Sequence, residues 1–296
     1  NQRGIRVIGD IPIFVDHNSA DVWANSRYFE VDEKGDRVKV AGVPPDYFSE
    51  TGQLWGNPLY KWKVLAKDGY GWWMERFQQM FDLFDAIRVD HFRGFDAYWE
   101  VPASEKTAEN GKWVKGPGAK LFRTVRKTLG ELPIIAEDLG FVTSSVEALR
   151  DTFAFPGMKI LQFAFDSDAS NVFLPHNFPQ NSVVYTGTHD NDTTIGWYLT
   201  APEIERHRVR LYTRSDGSTI HWELIRLAML SVADQAIVPL QDFMNLDGSH
   251  RMNLPGTVGN NWLWRYTPDM LAQVDRGHIR FLIEQGNRRI PPTSEA

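Results

Sequence analysis

The sequence predicts an α/β fold built on a parallel sheet, and two observations favour this class. The chain has 296 residues, 42% of them hydrophobic, which is enough for one large core. Six short apolar runs rich in β-branched residues alternate with helical patterns or long loops, as expected for parallel strands joined by crossover helices. An eight-stranded barrel needs two more strands. We therefore expect a TIM (β/α)8-type barrel that lacks its first two strands in this chain.

The first apolar run, from Ile5 to Val15, begins almost at the first residue, Asn1, which suggests a fragment. The run is typical of a parallel strand covered on both faces. A loop-rich stretch with a hairpin pattern around residues 33–36 follows, and we expect an insertion over the active site. The predicted division is 1–16 for the strand 3 region of the barrel, 17–66 for the inserted subdomain, 67–289 for the remaining barrel and 290–296 for a disordered tail.

Five further runs share one form, an apolar start and a polar end: DAIRVDHF, LPIIAEDLG, GMKILQFAF, NSVVYTGTHDND and QAIVPLQDF. Helical patterns lie between them. We expect helices at Tyr70 to Leu83, at Ala119 to Leu129, from a cap at Thr143 to Arg150, and around Arg226 to Ser231.

The composition excludes several classes of function and partner. A formal charge of -6 gives no basic footprint for nucleic acid, and no cysteine is present for disulfides, thiolate chemistry or Cys-ligated zinc. No apolar run approaches the roughly 20 residues that span a bilayer. We therefore expect a cytoplasmic protein with neither nucleic-acid nor membrane partners.

Charged residues end the strand-like runs, and strand parity groups them. Arg88 and Asp90 share one face of their strand, because successive side chains alternate. The same parity orients Glu137 and Asp10 on their own strands. Since the carboxyl ends of parallel strands form the active-site face of such barrels, we expect these acids to cluster there.

Paired carboxylates suit glycoside chemistry, in which an ionised acid attacks the anomeric carbon and a protonated acid donates to the leaving oxygen. Arg88 would favour the charged form of Asp90, whereas Glu137 would need a raised pKa. Two alternatives remain open at this point. The acids could be helix caps or loop ion pairs, or Asp10, His189 and Asp190 could hold a metal ion in a hydrolase.

A set of motifs carries a specific resemblance along nearly the whole chain. In order they are GDIPIFV, HNSADVWA, GQLWGNPLY, RVDHFRGF, IIAEDLG, YTGTHDNDT, VPLQDF and RMNLPGT followed by NW. This series resembles the amylomaltases, the 4-α-glucanotransferases that plants carry as disproportionating enzymes. The resemblance implies a retaining double displacement on malto-oligosaccharides and other α-1,4-glucans, with neither cofactor nor metal. Members of the family are usually longer at the N-terminus.

The resemblance also implies roles for single residues. Asp90 would be the nucleophile, Glu137 the acid and base, and Asp190 the third carboxylate at the donor sugar. The substrate-binding residues would be Asp10, Trp55, Arg88, His91, Phe163 and His189. For Trp55, His91 and Phe163, a purely structural packing role is the alternative.

Two rival functions follow from the same residues. An α-amylase-type retaining hydrolase would share the glycosyl-enzyme intermediate and differ only in using water as the acceptor. A carbohydrate-binding barrel without catalysis would need aromatic residues but no nucleophile. The intact acids Asp90, Glu137 and Asp190 argue against the second rival, and the loop that carries Trp55 favours transfer over hydrolysis.

Overall fold

A computed structural model describes residues 3–45 and 49–288. The chain divides into two compact units, Asn1–Gly157 and Met158–Ala296. The predicted tail at 290–296 lies outside the described residues. The strands are β1 Ile8–Pro12, β2 Lys39–Val43, β3 Gln53–Pro58, β4 Ala86–Asp90, β5 Ala97–Pro102, β6 Lys112–Lys115, β7 Ile134–Ala136, β8 Gly157–Ile160, β9 Ser182–Tyr185 and β10 Gln235–Ile237.

Four of the eleven helices in the described residues overlap the helices predicted from the sequence, and the other seven were not predicted. In the first unit they are α1 Ala20–Ala24, α2 Trp62–Lys67, α3 Gly71–Leu83, α4 Ala119–Leu129 and α5 Ser144–Thr152. In the second unit they are α6 Thr194–Thr200, α7 Glu203–Thr213, α8 Ile220–Leu230, α9 Leu240–Phe243, α10 Pro268–Ala272 and α11 Arg276–Gln285. Among the described residues, no helix is both long and apolar enough to cross a membrane.

The first unit contains a parallel sheet in the order β1-β4-β7, and the first residue of β8, Gly157, pairs with Ala136 of β7. In this register Asp10 lies opposite Arg88, and Arg88 lies opposite Ile135. The register therefore brings the polar ends of neighbouring strands to one edge, as strand parity predicts.

Strand β4 is anchored because Ile87 and Val89 are buried in the main core of the first unit. Large aromatic side chains fill much of this core, and each of these rings buries a large apolar area. Its fully buried rings include Phe29, Tyr60, Trp73, Phe77, Phe92, Phe95 and Phe122. With Ile87 and Val89 fixed inward, the other face of β4 is left for Arg88 and Asp90.

The first apolar run is only partly covered, which corrects the prediction that both of its faces are buried. Ile5 and Val7 precede strand β1 and are 65% and 46% exposed, and Ile8 is 38% exposed. Burial begins where side chains reach the core, at Ile11 and Ile13. Within the described part of the chain, β1 pairs with β4 alone, so less of its surface is covered than in a central strand.

A second sheet of the first unit is antiparallel, in the order β3-β2-β5-β6. Two of its strands, β5 and β6, come from outside residues 17–66, so this sheet is not built from the predicted insertion alone. The hairpin pattern around residues 33–36 forms one antiparallel bridge, between Val31 and Arg37. The proposed subdomain boundaries stay a prediction.

In the second unit the strands lie in the order β8-β9-β10, and β9 pairs with β10 in parallel. Helix α8 begins earlier than the sequence pattern indicates, at Ile220, because Ile220, Leu224 and Ala228 form a buried stripe against Val184 of β9. All six predicted strands are present, and the pairs β1–β4, β4–β7, β7–β8 and β9–β10 are parallel. The predicted α/β class is confirmed.

Candidate active site

Arg88 joins two of the predicted carboxylates at the ends of β1 and β4. Its Nη2 lies 2.6 Å from Oδ2 of Asp10 and 3.0 Å from Oδ1 of Asp90. The side chain of Arg88 is 11% exposed, whereas those of Asp10 and Asp90 are 45% and 40% exposed. Burial lowers the pKa of Arg88, but the two carboxylates raise it by more. The net pKa is therefore raised, and the guanidinium stays charged. Arg88 therefore holds both acids in place through ion pairs.

Glu137 follows β7 and is held by two backbone donors. The N–H of His91 donates to its Oε2 at 2.7 Å, and the N–H of Leu139 donates to its Oε1 at 2.8 Å. Burial raises the pKa of Glu137 to about 7, and the negative charge of Asp90 adds to this effect. The two backbone N–H groups and Arg88 oppose the rise but do not cancel it. The carboxyl group can therefore gain or lose a proton near neutral pH.

His91 contacts Glu137 through its backbone and Trp55 through its ring. Its backbone is in the left-handed region, with φ of 50°, which is costly for a residue with a Cβ. This conformation accompanies the donation of its N–H to Glu137. The ring stacks edge-on against Trp55, with centroids 4.7 Å apart, and burial lowers the pKa of His91 to about 3. The imidazole is neutral at physiological pH and can act only as a neutral hydrogen-bonding group.

Trp55 lies in strand β3 and not in a loop as predicted. It is 38% exposed, and its indole Nε1 donates to Oε1 of Gln53 at 3.1 Å. Phe14 lies 6.4 Å from both Trp55 and His91, measured between ring centroids. The indole is thus packed on one side and accessible on another, an arrangement that suits stacking on a flat sugar face.

Asp190 of the second unit is fixed by residues from a later loop. Nδ2 of Asn253 donates to Oδ1 of Asp190 at 2.6 Å, and Nη2 of Arg251 donates to its backbone carbonyl at 2.5 Å. Nε2 of His189 lies 3.3 Å from Oδ2 of Asp190, and its ring is 5.0 Å from that of Trp262. The predicted neighbours His189 and Asp190 are therefore in direct contact.

Phe163 lies after β8 and contacts Phe173, with ring centroids 5.5 Å apart in an edge-on arrangement. The side chain is 38% exposed. These contacts are compatible with either packing or sugar contact, and the role of Phe163 stays a prediction.

The structure brings together the predicted residues of each unit and adds partners that the sequence did not single out. In the first unit these are the backbone N–H groups of His91 and Leu139. In the second unit they are Arg251 and Asn253, which belong to the quoted motif RMNLPGT. The sequence signal that could have identified Arg251 and Asn253 is a pair of polar side chains just before a Pro-Gly turn. Among the described residues, no group of three or more His, Asp or Glu side chains could hold a metal ion.

Another residue missed in the sequence is Asp242, which is 1% exposed in α9. Its carboxylate accepts hydrogen bonds from Oγ1 of Thr186 at 2.6 Å, and from the N–H and Oγ1 of Thr194, both at 2.8 Å. Asp242 thereby connects the end of β9 to the first turn of α6. These two elements flank the loop that carries His189 and Asp190.

We expect Asp242→Asn to lower the free energy of unfolding by about 2 kcal/mol, because an amide presents two donors where the carboxylate accepted three bonds. Denaturant unfolding of the full-length protein measures the change. Asp234→Asn is the matched control, since Asp234 lies just before β10 and carries the same charge. An equal loss in both variants would contradict the role of Asp242.

Comparison with known proteins identifies the family of the chain. Residues 1–271 match the model of glycoside hydrolase family 77, described as 4-alpha-glucanotransferase. A Synechocystis 4-alpha-glucanotransferase is 55% identical over 98% of this chain and 58% of its own length. A Thermus thermophilus 4-alpha-glucanotransferase is 52% identical over 96% of this chain and 59% of its own.

A solved structure is also similar. The amylomaltase from Streptococcus agalactiae, determined in complex with acarbose, has a TM-score of 0.91 and 38% identity, over 96% of this chain and 57% of that one. The chain thus spans between half and three fifths of the length of these relatives. On the family match and these identities, the chain belongs to the 4-alpha-glucanotransferase family, glycoside hydrolase family 77.

Proposed function

We propose that this chain carries the catalytic acids of a 4-α-glucanotransferase that moves α-1,4-glucan segments between malto-oligosaccharides. One observation supports this most directly. Asp90 is ion-paired with Arg88 at 3.0 Å, whereas burial raises the pKa of the neighbouring Glu137 to about 7. One acid is therefore prepared to attack as a carboxylate, and the other can be protonated near neutral pH.

In the first half of the reaction, a carboxylate oxygen of Asp90 forms a bond to the anomeric carbon of the donor glucan. The glycosidic bond breaks, and Glu137 gives its proton to the departing oxygen. In the second half, the ionised Glu137 takes a proton from a hydroxyl group of the acceptor sugar. That hydroxyl attacks the anomeric carbon and releases Asp90, so configuration is retained overall.

The remaining predicted residues are assigned to sugar binding. Asp190 would accept hydrogen bonds from hydroxyl groups of the donor sugar, and its position is fixed by Asn253 at 2.6 Å. His91 and His189 would bind sugar oxygens, while Trp55 and Phe163 would stack on acceptor rings. Asp10 would act mainly through Arg88, which it contacts at 2.6 Å. The names of the relatives favour transfer over hydrolysis. We also propose that the protein is located in the cytoplasm.

The product profile from maltotriose tests the proposal. A transferase yields glucose together with oligosaccharides longer than maltotriose, and a retaining hydrolase yields maltose and glucose alone. Retention is checked separately by observing the anomer formed first in proton NMR spectra. Because the chain spans only part of its relatives, the full-length protein is the material to use, and absence of any product would favour the carbohydrate-binding alternative.

We expect Trp55→Ala to slow transfer about tenfold and to raise the share of hydrolysis, because an acceptor sugar loses its stacking surface and water enters in its place. Glucose, maltose and longer products are quantified by chromatography. Trp23→Ala is the matched control, since Trp23 is 86% exposed in the same unit. An unchanged ratio of transfer to hydrolysis in Trp55→Ala would leave Trp55 with a packing role.

A further inference from the structure

Arg93 lies in the RVDHFRGF motif, in the short 3-10 helix Phe92–Phe95 that follows β4. It is only 5% exposed. Its guanidinium carbon lies 3.9 Å from the ring centroid of Trp113 and 5.6 Å from that of Phe141. Nη1 donates to the backbone carbonyl of Phe141 at 2.6 Å. Arg93 is therefore held by an aromatic ring of β6 and in turn holds the chain at Phe141.

Phe141 belongs to the segment 138–142 that follows Glu137 in the chain. This segment includes Leu139, whose N–H donates to Oε1 of Glu137 at 2.8 Å. On the other side, the two residues that precede Arg93 in the motif also reach Glu137. The N–H of Phe92 donates to the backbone carbonyl of Glu137 at 3.0 Å, and the N–H of His91 donates to its Oε2 at 2.7 Å. Arg93 connects the two segments that together enclose this carboxyl group.

Burying Arg93 costs folding free energy, which indicates that its guanidinium has a specific role. Burial lowers the pKa of Arg93, and its Nε has no hydrogen-bond partner among the described residues. A buried cation and an unsatisfied donor both oppose folding. An apolar side chain would avoid this cost but could not donate to the Phe141 carbonyl. A planar guanidinium can stack on a ring and donate in its own plane at once, which lysine cannot do.

We propose that Arg93 is a positioning residue that clamps segment 138–142 and so fixes the carboxyl group of Glu137 in its enclosed site. This inference rests on the proposed function for its catalytic consequence, but the clamp itself is independent of that function. Arg93 is not among the groups that shift the pKa of Glu137, so its influence passes through geometry. Loosening the clamp admits water to Glu137 and removes the alignment of the Leu139 donor.

The test is Arg93→Lys in the full-length protein, with Arg126→Lys as the matched control. Arg126 makes these two kinds of contact elsewhere in the unit, and its Nε also pairs with Oε1 of Glu131 at 2.8 Å. Its guanidinium carbon lies 5.1 Å from the ring of Phe153, and its Nη2 donates to the Phe153 carbonyl at 3.4 Å. Both substitutions keep the positive charge and remove the planar group, and neither residue belongs to the acids or sugar-binding residues assigned above.

Two readouts separate positioning from general stability. Hydrogen exchange measured by mass spectrometry should rise in segment 138–142 of Arg93→Lys and stay unchanged there in Arg126→Lys. In maltotriose transfer, Arg93→Lys should lower kcat about tenfold with little change in KM, and the basic limb of the pH profile should move about one unit lower as water reaches Glu137.

Unchanged exchange in segment 138–142 would overturn the proposal, as would equal effects of the two substitutions on exchange and pH profile. A failure of the proposed function looks different. The wild-type protein would then make no oligosaccharides longer than maltotriose, while the exchange experiment would still decide whether Arg93 holds the segment.

Discussion

Replacing Asp90 by asparagine is expected to reduce glucan transfer by on the order of 10⁶-fold, the loss seen when a covalent nucleophile is removed. Asparagine has nearly the same shape and can still accept a hydrogen bond from Arg88. Its amide is too weak a nucleophile to form the glycosyl-enzyme bond. The measurement is the initial rate of maltotriose conversion, with unfolding temperature followed in parallel to show that the variant is folded.

Asp10→Asn is the informative comparison for this substitution. Asp10 and Asp90 contact the same nitrogen of Arg88, at 2.6 Å and 3.0 Å, and both side chains are nearly half exposed. Each variant therefore removes one negative charge beside Arg88, but only Asp90→Asn removes the attacking group. Asp10→Asn should retain far more activity. If the two variants lost activity equally, the loss would come from the electrostatics around Arg88.

The intermediate can also be observed directly. A fluorinated glucosyl donor that forms the glycosyl-enzyme faster than it reacts onward should add its mass to the peptide containing Asp90. Label on a different carboxylate would contradict the assignment of the nucleophile even if Asp90→Asn were inactive.

Strand parity predicted the grouping in the first unit because it depends only on backbone geometry. Arg88 and Asp90 alternate with Ile87 and Val89, so packing the apolar pair in the core turns the charged pair to the opposite face. Parallel pairing then set Asp10 opposite Arg88. Alternation is a local property that the sequence contains in full, whereas the pairing of Asp10 with Arg88, 78 residues away, depends on the register of the sheet.

The properties that depend on distant parts of the chain were not predictable in this way. The raised pKa of Glu137 comes first from burial, which requires the packed structure around β7. The left-handed backbone at His91 has no sequence signal, because nothing in RVDHFRGF requires a positive φ at a histidine. Asn253 is 63 residues from Asp190, and only the folded loop brings the two together.

The prediction that both faces of the first strand are covered was wrong for a related reason. An apolar, β-branched run indicates strand propensity but carries no information about which neighbours are present to cover it. Ile5 and Val7 remain exposed while Ile11 and Ile13 are buried, although all four look alike in the sequence.

Replacing Glu137 by glutamine is expected to slow transfer from maltotriose by about 10²- to 10⁴-fold, because the leaving oxygen then departs without a proton. A donor such as α-glucosyl fluoride, whose leaving group needs no proton, should lose much less in the first half of the reaction. In the wild-type protein, kcat/KM for maltotriose should fall as pH rises above about 7, as the acid form of Glu137 is lost. Equal losses with both donors would rule out Glu137 as the general acid.

The same substitution should reveal what Glu137 costs the fold. Its folded-state pKa of about 7 lies above the ordinary value of 4.5, so the folded protein holds a proton that the unfolded chain releases between these two values. Stability contributed by this group therefore falls as pH rises through that window, and the full cost of the buried charge is present above pH 7.

Glutamine cannot ionise, although it gives up one of the two bonds from His91 and Leu139. The unfolding temperature of Glu137→Gln relative to wild type should consequently increase from pH 5 to pH 8. Glu147→Gln, a change in the first turn of α5, should show no such trend. A pH-independent difference for Glu137→Gln would mean that the carboxyl group titrates near its ordinary value in the folded protein, and the general-acid assignment would lose its physical basis.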